Sequence, residues 1–175
     1  VNSLPQKELR KIIYKYGEEK FADSISKAIV KYREEKPITT TSQLAEIIKN
    51  SVPERVRKAS HPARKTFQAL RIEVNHELDA LEKGLSEAFD LLCVGGRLAV
   101  ITFHSLEDRI VKQTMASWYQ GCTCPKDFPV CVCGNKPKAK AVTRKPIVAN
   151  EQELSTNPRS RSAKLRICEK IIENS

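Results

Sequence analysis

The sequence predicts an α/β open sheet preceded by a small helical subdomain. Three observations carry that expectation. Apolar positions in the first fifty residues recur at helical spacing. Gly95-Gly96 turns the chain into the apolar run "RLAVIT" (97–102), which leads directly into another helical pattern, and two further strand-like runs close the chain. Helix, glycine turn, buried strand, helix, strand, loop, strand is the order of a doubly wound domain. Only three strands are present, however. A strand as apolar as RLAVIT should be buried on both faces with a neighbour on each side, because a strand of that kind left at an edge invites aggregation. The expectation is therefore the second half of such a domain.

The elements follow in order. Leu9, Ile12, Ile13 and Tyr16 mark the first helix, where Ser3 with Gln6 fits a capping box and Gly17 fits the left-handed stop. Phe21, Ile25, Ala28, Ile29 and Tyr32 form one face of a second helix, ended before Pro37. A third begins near Thr40, with Gln43 three residues on, and carries Leu44, Ile47 and Ile48. The short links imply a compact antiparallel cluster. Residues 52–63 hold two prolines and a run of charge and read as a connector. Residues 66–92 make a long helical pattern with Phe67, Leu70, Val74, Leu78, Leu81 and Leu85 inward and a break near Gly84. Residues 105–119 are helical again, 139–149 and 163–172 read as strands, and 150–162 as a polar loop. The division expected is a helical part at 1–60 and an α/β part at 61–175, with a cysteine-rich loop at 121–138.

Composition bounds the function. With 175 residues, 40% hydrophobic and 30% charged, the chain has the make-up of one soluble domain carrying a subdomain. No apolar run approaches the roughly 18 residues of a membrane span, and no signal-like segment opens the chain. The chain begins at Val1 and its single methionine is Met115, so a piece or processed form of something longer is expected. The 31 Lys+Arg against 21 Asp+Glu favour a polyanionic partner, or else a generally basic surface. Clusters at 55–65, 136–145 and 159–166 favour the former. A reducing, cytoplasmic setting is expected, with Cys93 and Cys168 as small buried hydrophobes.

Several constellations could carry chemistry. Cys122, Cys124, Cys131 and Cys133 form a C-x-C…C-x-C set that could place four thiolates around a structural zinc, although the spacing is tighter than the common C-x₂₋₄-C knuckle. A loop with free thiols and an oxidisable pair are the alternatives. His104 and Ser105 follow the C-terminal end of a strand, where open α/β sheets place ligands. Ser105 with Asp108 approximates a capping box, whereas His104 has no capping role to explain it. Ser, His and Asp crowded into one turn cannot form a nucleophile–base–orienter line, which argues against a hydrolase. Arg71 and Asn75, four apart on one helix face, with Arg64 and Lys65 before them, suit phosphates or base edges, or merely an exposed polar face. Arg159, Arg161, Lys164 and Arg166 form an arginine-rich run that favours phosphate binding. No G-x-G-x-x-G loop, no P-loop and no acidic residue ending a first strand occurs.

In this order, "YGEEKFADSISKAIV", "KPITTTSQLAEII", "HPARKTFQALRIEVNHEL", "GGRLAVITFHSLEDRIVK", "TRKPI" and "NPRSRSAKLR" resemble the ribosomal RNA small-subunit methyltransferases of the MraW family over nearly the whole chain. The cysteine segment is similar to that of some members only. Cys93-Val94 departs from the family's usual proline before the glycine pair. The resemblance implies a Rossmann-like class I methyltransferase with a helical insertion, S-adenosylmethionine as cofactor, and methylation of N4 of a cytidine in 16S rRNA. It implies that this chain holds much of the insertion and the C-terminal half of the sheet, RLAVIT being the fifth strand, while the cofactor loop lies in an N-terminal half not in this chain. His104 and Ser105 would then line the base pocket, with Arg64, Arg71, Asn75, Arg109, Arg159 and Arg161 on RNA. The missing half, or a second copy of the chain, would cover the open sheet edge. A stand-alone basic RNA-binding module and a zinc-organised assembly protein stay open as alternatives.

Overall fold

In the computed structural model, which describes residues 1–59, 61–125, 130 and 132–172, the chain divides into two compact units, Val1–Glu77 and Leu78–Ser175. The first is helical: α1 (Gln6–Gly17), α2 (Ala22–Glu35), α3 (Thr41–Ser51), α4 (Glu54–Ala59) and α5 (Arg64–Asn75). α1 packs on α2 and α5, and α2 on α3. Leu9, Ile13, Ile25, Ile29 and Ile48 are sealed between them, the face that the helical periodicity picks out. The helical unit thus takes in α5, beyond position 60.

The ends of these helices test the sequence reading. The Thr40–Gln43 capping box forms as expected, with both reciprocal bonds. The Ser3–Gln6 box does not form. Pro5 is the N-cap, and its carbonyl accepts from the Glu8 and Leu9 N–H groups at 3.0 and 3.1 Å. The left-handed residue after α1 is Glu18 (φ 47°) and not Gly17. Gly17 has another duty: a Cβ there would lie 2.8 Å from the Lys65 carbonyl oxygen of α5, so the glycine permits the close approach of the two helices. Part of the expected connector is α4, started by the Pro53 carbonyl, which accepts from Val56 and Arg57 N–H. The long helix expected at 66–92 breaks at His76 (φ 50°) and not at Gly84, which lies inside α6 (Glu77–Leu91). The buried stripe of α5 is Thr66, Ala69 and Ile72, flanked by Phe67 and Leu70, which leaves Val74 75% exposed.

The second unit contains the rest of α6, β1 (Arg97–Thr102), α7 (Ser105–Tyr119), β2 (Ala139–Ala141), β3 (Ile147–Val148), α8 (Glu151–Thr156), a 3-10 turn (Pro158–Ser162) and β4 (Lys164–Lys170). The strand order is β1-β4-β2 with β3 also on β4, and every pairing is antiparallel. It is a mixed α/β unit. The strand expected at 139–149 is two short strands, because the main chain at Val142 and Thr143 folds onto Ile167 and Pro146 has no N–H to continue a ladder. The expected polar loop at 150–162 contains α8, capped by the Asn150 side chain on Glu153 N–H at 2.8 Å, and the 3-10 turn.

Phe89 of α6 stacks on Trp118 of α7 at 4.0 Å, and with Leu85, Val111, Met115 and Cys168 they form the core. Leu98 and Val100 of β1 pack against this core and Thr102 is buried, whereas Ala99 and Ile101 are exposed. RLAVIT is therefore half-buried and not buried on both faces. Among the described residues β1 pairs with β4 alone, so its other edge is open, as expected. Lys170 is almost fully buried, and its Nζ donates to the Phe89 and Asp90 carbonyls at 3.2 Å each, closing the C-terminal end of α6. Gly95 (φ 84°) makes the turn before β1 and donates its N–H to the Lys170 carbonyl at 2.8 Å. Cys168 is buried as expected, but Cys93 is exposed, because it sits in the turn ahead of Gly95. No helix among the described residues is long and apolar enough to cross a membrane.

The two roles at the end of α1 separate in mutants. Gly17→Ala should destabilise the helical unit by about 1–3 kcal/mol through overpacking. Glu18→Gly should be neutral or stabilise it by up to about 1 kcal/mol by relieving a left-handed residue. Urea unfolding of both variants checks this. A harmless Gly17→Ala would remove the close-packing role.

Candidate functional site

The β1–β4 register sets Thr102 opposite Lys164. The chain leaving β1 (Phe103, His104, Ser105) and the 3-10 turn feeding β4 (with Arg159 and Arg161) therefore emerge at the same end of the sheet. His104 has extended backbone (φ −141°, ψ 166°) and is the N-cap of α7. Its Nδ1 accepts the Glu107 N–H at 3.3 Å, and Glu107 Oε2 accepts the N–H groups of His104 (3.2 Å) and Phe103 (2.8 Å). This corrects two expectations. The capping box is His104–Glu107 and not Ser105–Asp108, and His104 does have a capping role. The reason is chemical: a neutral imidazole whose proton sits on Nε2 offers Nδ1 as an acceptor, which the usual list of capping side chains omits. Ser105 is then the first residue of α7. The His104 Nε2 is buried and makes no hydrogen bond, although Glu107 Oε1 lies 3.3 Å away.

Asp108 is freed from the capping box for another task. Its carboxylate accepts from Arg166 Nε (2.7 Å) and Nη2 (3.2 Å) and from Lys164 Nζ (3.0 Å). The Arg166 guanidinium holds the Asp108 carboxyl below its ordinary range, against the opposing push of burial, with Lys164 assisting. The arginine-rich run is thereby split. Lys164 and Arg166 are engaged with Asp108, while Arg159 and Arg161 are exposed and make no ion pair among the described residues. Arg109 is exposed on α7. Phe103, which sequence reasoning missed, is 58% exposed beside His104. An aromatic residue between a strand end and an N-cap is the signal that could have found it. Burial pushes Tyr119 up to about 12 and also raises the Cys168 thiol, so neither supplies a base or nucleophile near neutral pH.

In the helical unit, Arg64 is the exposed first residue of α5. Arg71 grips Glu77 with Nε (2.7 Å) and Nη2 (2.9 Å), and Asn75 Nδ2 donates to Glu77 Oε1 at 3.1 Å. The structure brings Arg71 and Asn75 together, as their spacing implied, but on a carboxylate. Glu77 lies past the break at His76, which a continuous helical reading could not anticipate. In the sheet unit, Cys122, Cys124 and Cys133 have their Sγ atoms within 4.8 Å of one another. Cys131, the remaining member of the set, lies outside the described residues.

Comparison with known proteins places these residues in a wider frame. The model of the MraW methylase family matches residues 1–171. A protein of Carboxydothermus hydrogenoformans is 55% identical over 171 residues, and proteins of Paenibacillus sp. and Citrifermentans bemidjiense are each 57% identical over 172. All three are named ribosomal RNA small subunit methyltransferase H. Each alignment takes in 98% of this chain and 54–55% of the relative, so the chain spans about half the length of the curated relatives it matches.

The Asp108 cluster makes a signed pH prediction. A carboxyl held below its unfolded value stabilises the fold fully above the ordinary carboxylate pKa, about 4, and loses that contribution as pH falls through the depressed folded value. Asp108→Asn should therefore lower the unfolding free energy by about 2–4 kcal/mol at neutral pH, with the difference from the wild type shrinking in acid. Urea titrations across the acid range measure this. A difference that stays constant with pH would detach Asp108 from the two cations.

Proposed function

Because the chain belongs to the MraW methylase family, we propose that it is the RNA-binding part of an S-adenosylmethionine-dependent methyltransferase acting on N4 of a cytidine in 16S rRNA of the small ribosomal subunit. The observation that carries this reading is the family match over residues 1–171, with relatives named for ribosomal RNA methylation. The division of labour follows from the chemistry present. The described residues do not make an S-adenosylmethionine site. β1 runs into Thr102-Phe103 with no carboxylate to hold ribose hydroxyls, and no glycine-rich strand–loop–helix occurs in the sequence. The next carboxylates, Glu107 and Asp108, are committed to the cap and to Arg166–Lys164. Methyl donation therefore falls to the half of the enzyme outside this chain. In this reading that half pairs along the open edge of β1, in a Rossmann-like sheet of which the helical unit is an insertion for substrate recognition.

This chain's own part is to bind RNA and present the base. Arg159, Arg161, Arg109 and Arg64 contact phosphates. The target cytidine leaves its stack to be reached and lies against Phe103, whose exposed ring suits a splayed-out base. His104 and Ser105 wall the pocket. Arg71 and Asn75 reach RNA by exchanging Glu77 for a phosphate or a base edge.

Two experiments bear on this. The chain should bind a 16S rRNA fragment with salt-sensitive affinity, and the Arg159→Ala/Arg161→Ala double variant should flatten the slope of log affinity against log salt by about 1–2. Fluorescence anisotropy reads the slope, and an unchanged slope would take both arginines out of the interface. In the full-length gene product, Phe103→Ala should lower kcat/KM about 10- to 100-fold and Phe103→Trp should restore most of it, as base stacking implies. Turnover and rRNA affinity unaffected by His104→Ala would remove His104 from the pocket.

A further inference from the structure

The segment between α7 and β2 has no role in RNA binding as described above, and none of its described residues belongs to the apolar core of the sheet unit. Among its described residues there is no helix or strand, and Val130 and Val132 are 70% and 74% exposed. Its ends are nevertheless fixed. Lys138 N–H donates to the Trp118 carbonyl at 2.7 Å, and Asn135 Nδ2 donates to the Gly121 carbonyl at 2.9 Å, which brings the returning chain back beside the outgoing one. What converges inside that closure is sulfur. Cys122 and Cys124, two apart, meet Cys133 from the returning arm, with all three Sγ atoms within 4.8 Å. Gly134 turns the chain immediately after Cys133 with φ 63°.

We propose that Cys122, Cys124 and Cys133 bind one zinc ion as thiolates, forming a structural metal site that locks this loop. Zn–S bonds of about 2.3 Å in a tetrahedron set sulfur–sulfur edges of about 3.8 Å. Cys122 and Cys133 are 3.7 Å apart, already at that spacing. The wider edges close with at most about 1 Å of movement in side chains that are exposed or half-buried. The Thr123 N–H donates to Cys133 Sγ at 3.4 Å, the kind of main-chain donor that orients a metal-bound thiolate and spreads its charge. Soft sulfur donors select zinc over hard cations. Binding is a proton exchange without redox change: the ion displaces three thiol protons to solvent, and the centre carries one net negative charge before its fourth ligand, which comes from outside this trio. Lys136 and Lys138 follow in sequence to offset that charge. The described residues of the loop add nothing to the apolar core, and the metal supplies the cross-link, as it does in small domains that cannot bury enough surface.

The test is metal analysis of the whole chain purified under reducing conditions without chelators. The expected result is about one zinc per chain. Cys122→Ser, Cys124→Ser and Cys133→Ser should each weaken zinc binding by at least about 100-fold, more than loss of an outer partner costs. Cys93→Ser, an exposed thiol outside the cluster, should keep its zinc. Cobalt(II) exchanged into the wild type should show the intense visible bands of a tetrahedral thiolate centre. That spectrum decides the matter even if the serine variants fail to fold. Wild-type protein that takes up no zinc, a cobalt spectrum of octahedral oxygen ligation, or zinc retained equally by the triple serine variant would each overturn the site.

Discussion

The Asp108 carboxylate is the joint on which the sheet unit depends. It receives Arg166 and Lys164 together, one anion between two cations, and so fastens the first turn of α7 to the start of β4. β4 is the strand with which β1, β2 and β3 all pair, so whatever fixes its entry fixes the sheet. The mostly buried Asp108–Arg166 contact is worth more than a surface ion pair, and loss of the anion is costly, since the Arg166 guanidinium would be left buried without its partner beside the part-exposed Lys164 ammonium. At the far end of β4, Lys170 does the converse for α6, placing an ammonium on the carbonyls that close that helix. Each end of the central strand therefore holds one helix by charge, and the stacked Phe89–Trp118 pair fills the space between them.

The same joint decides which charges of the basic run stay exposed. A basic run of four reads as uniform in sequence, yet Lys164 and Arg166 face the carboxylate while Arg159 and Arg161 precede β4 on the 3-10 turn and stay exposed. The helical unit repeats the pattern, with Arg71 and Asn75 drawn to Glu77 and Arg64 left at the start of α5. Formal charge thus overstates the electrostatic footprint, and the exposed arginines without ion pairs are the ones that a phosphate meets at no cost in broken contacts.

Much of the fold was legible because its causes are local. The periodic faces of α1, α2 and α3, the Thr40–Gln43 box and the glycine turn into β1 depend on residues a few positions apart. The misreadings share one cause, which is a partner distant in sequence or of an unexpected kind. Gly17 reads as a helix stop until the Lys65 carbonyl opposite it is seen. His104 reads as a candidate site residue with no structural duty until its Nδ1 is seen accepting the Glu107 N–H, which also displaces the expected Ser105–Asp108 cap. The helix break at His76 follows no glycine or proline, and the place of Phe103 between the strand end and the N-cap gains its meaning once His104 is seen to be that cap.

By itself the sequence determined the amphipathic elements, a strand with an open edge, the basic balance and the family, because composition, periodicity and motif text carry those directly. Only the tertiary structure decided which charges are neutralised, which cysteines converge, and that the turn at the end of β1 presents Phe103 outward while His104 is tied into the cap. The physical reason is that hydrogen bonds, ion pairs and sulfur clusters act over a few ångströms in space. Chain positions 56 apart, such as Asp108 and Lys164, become neighbours only when the strands pair.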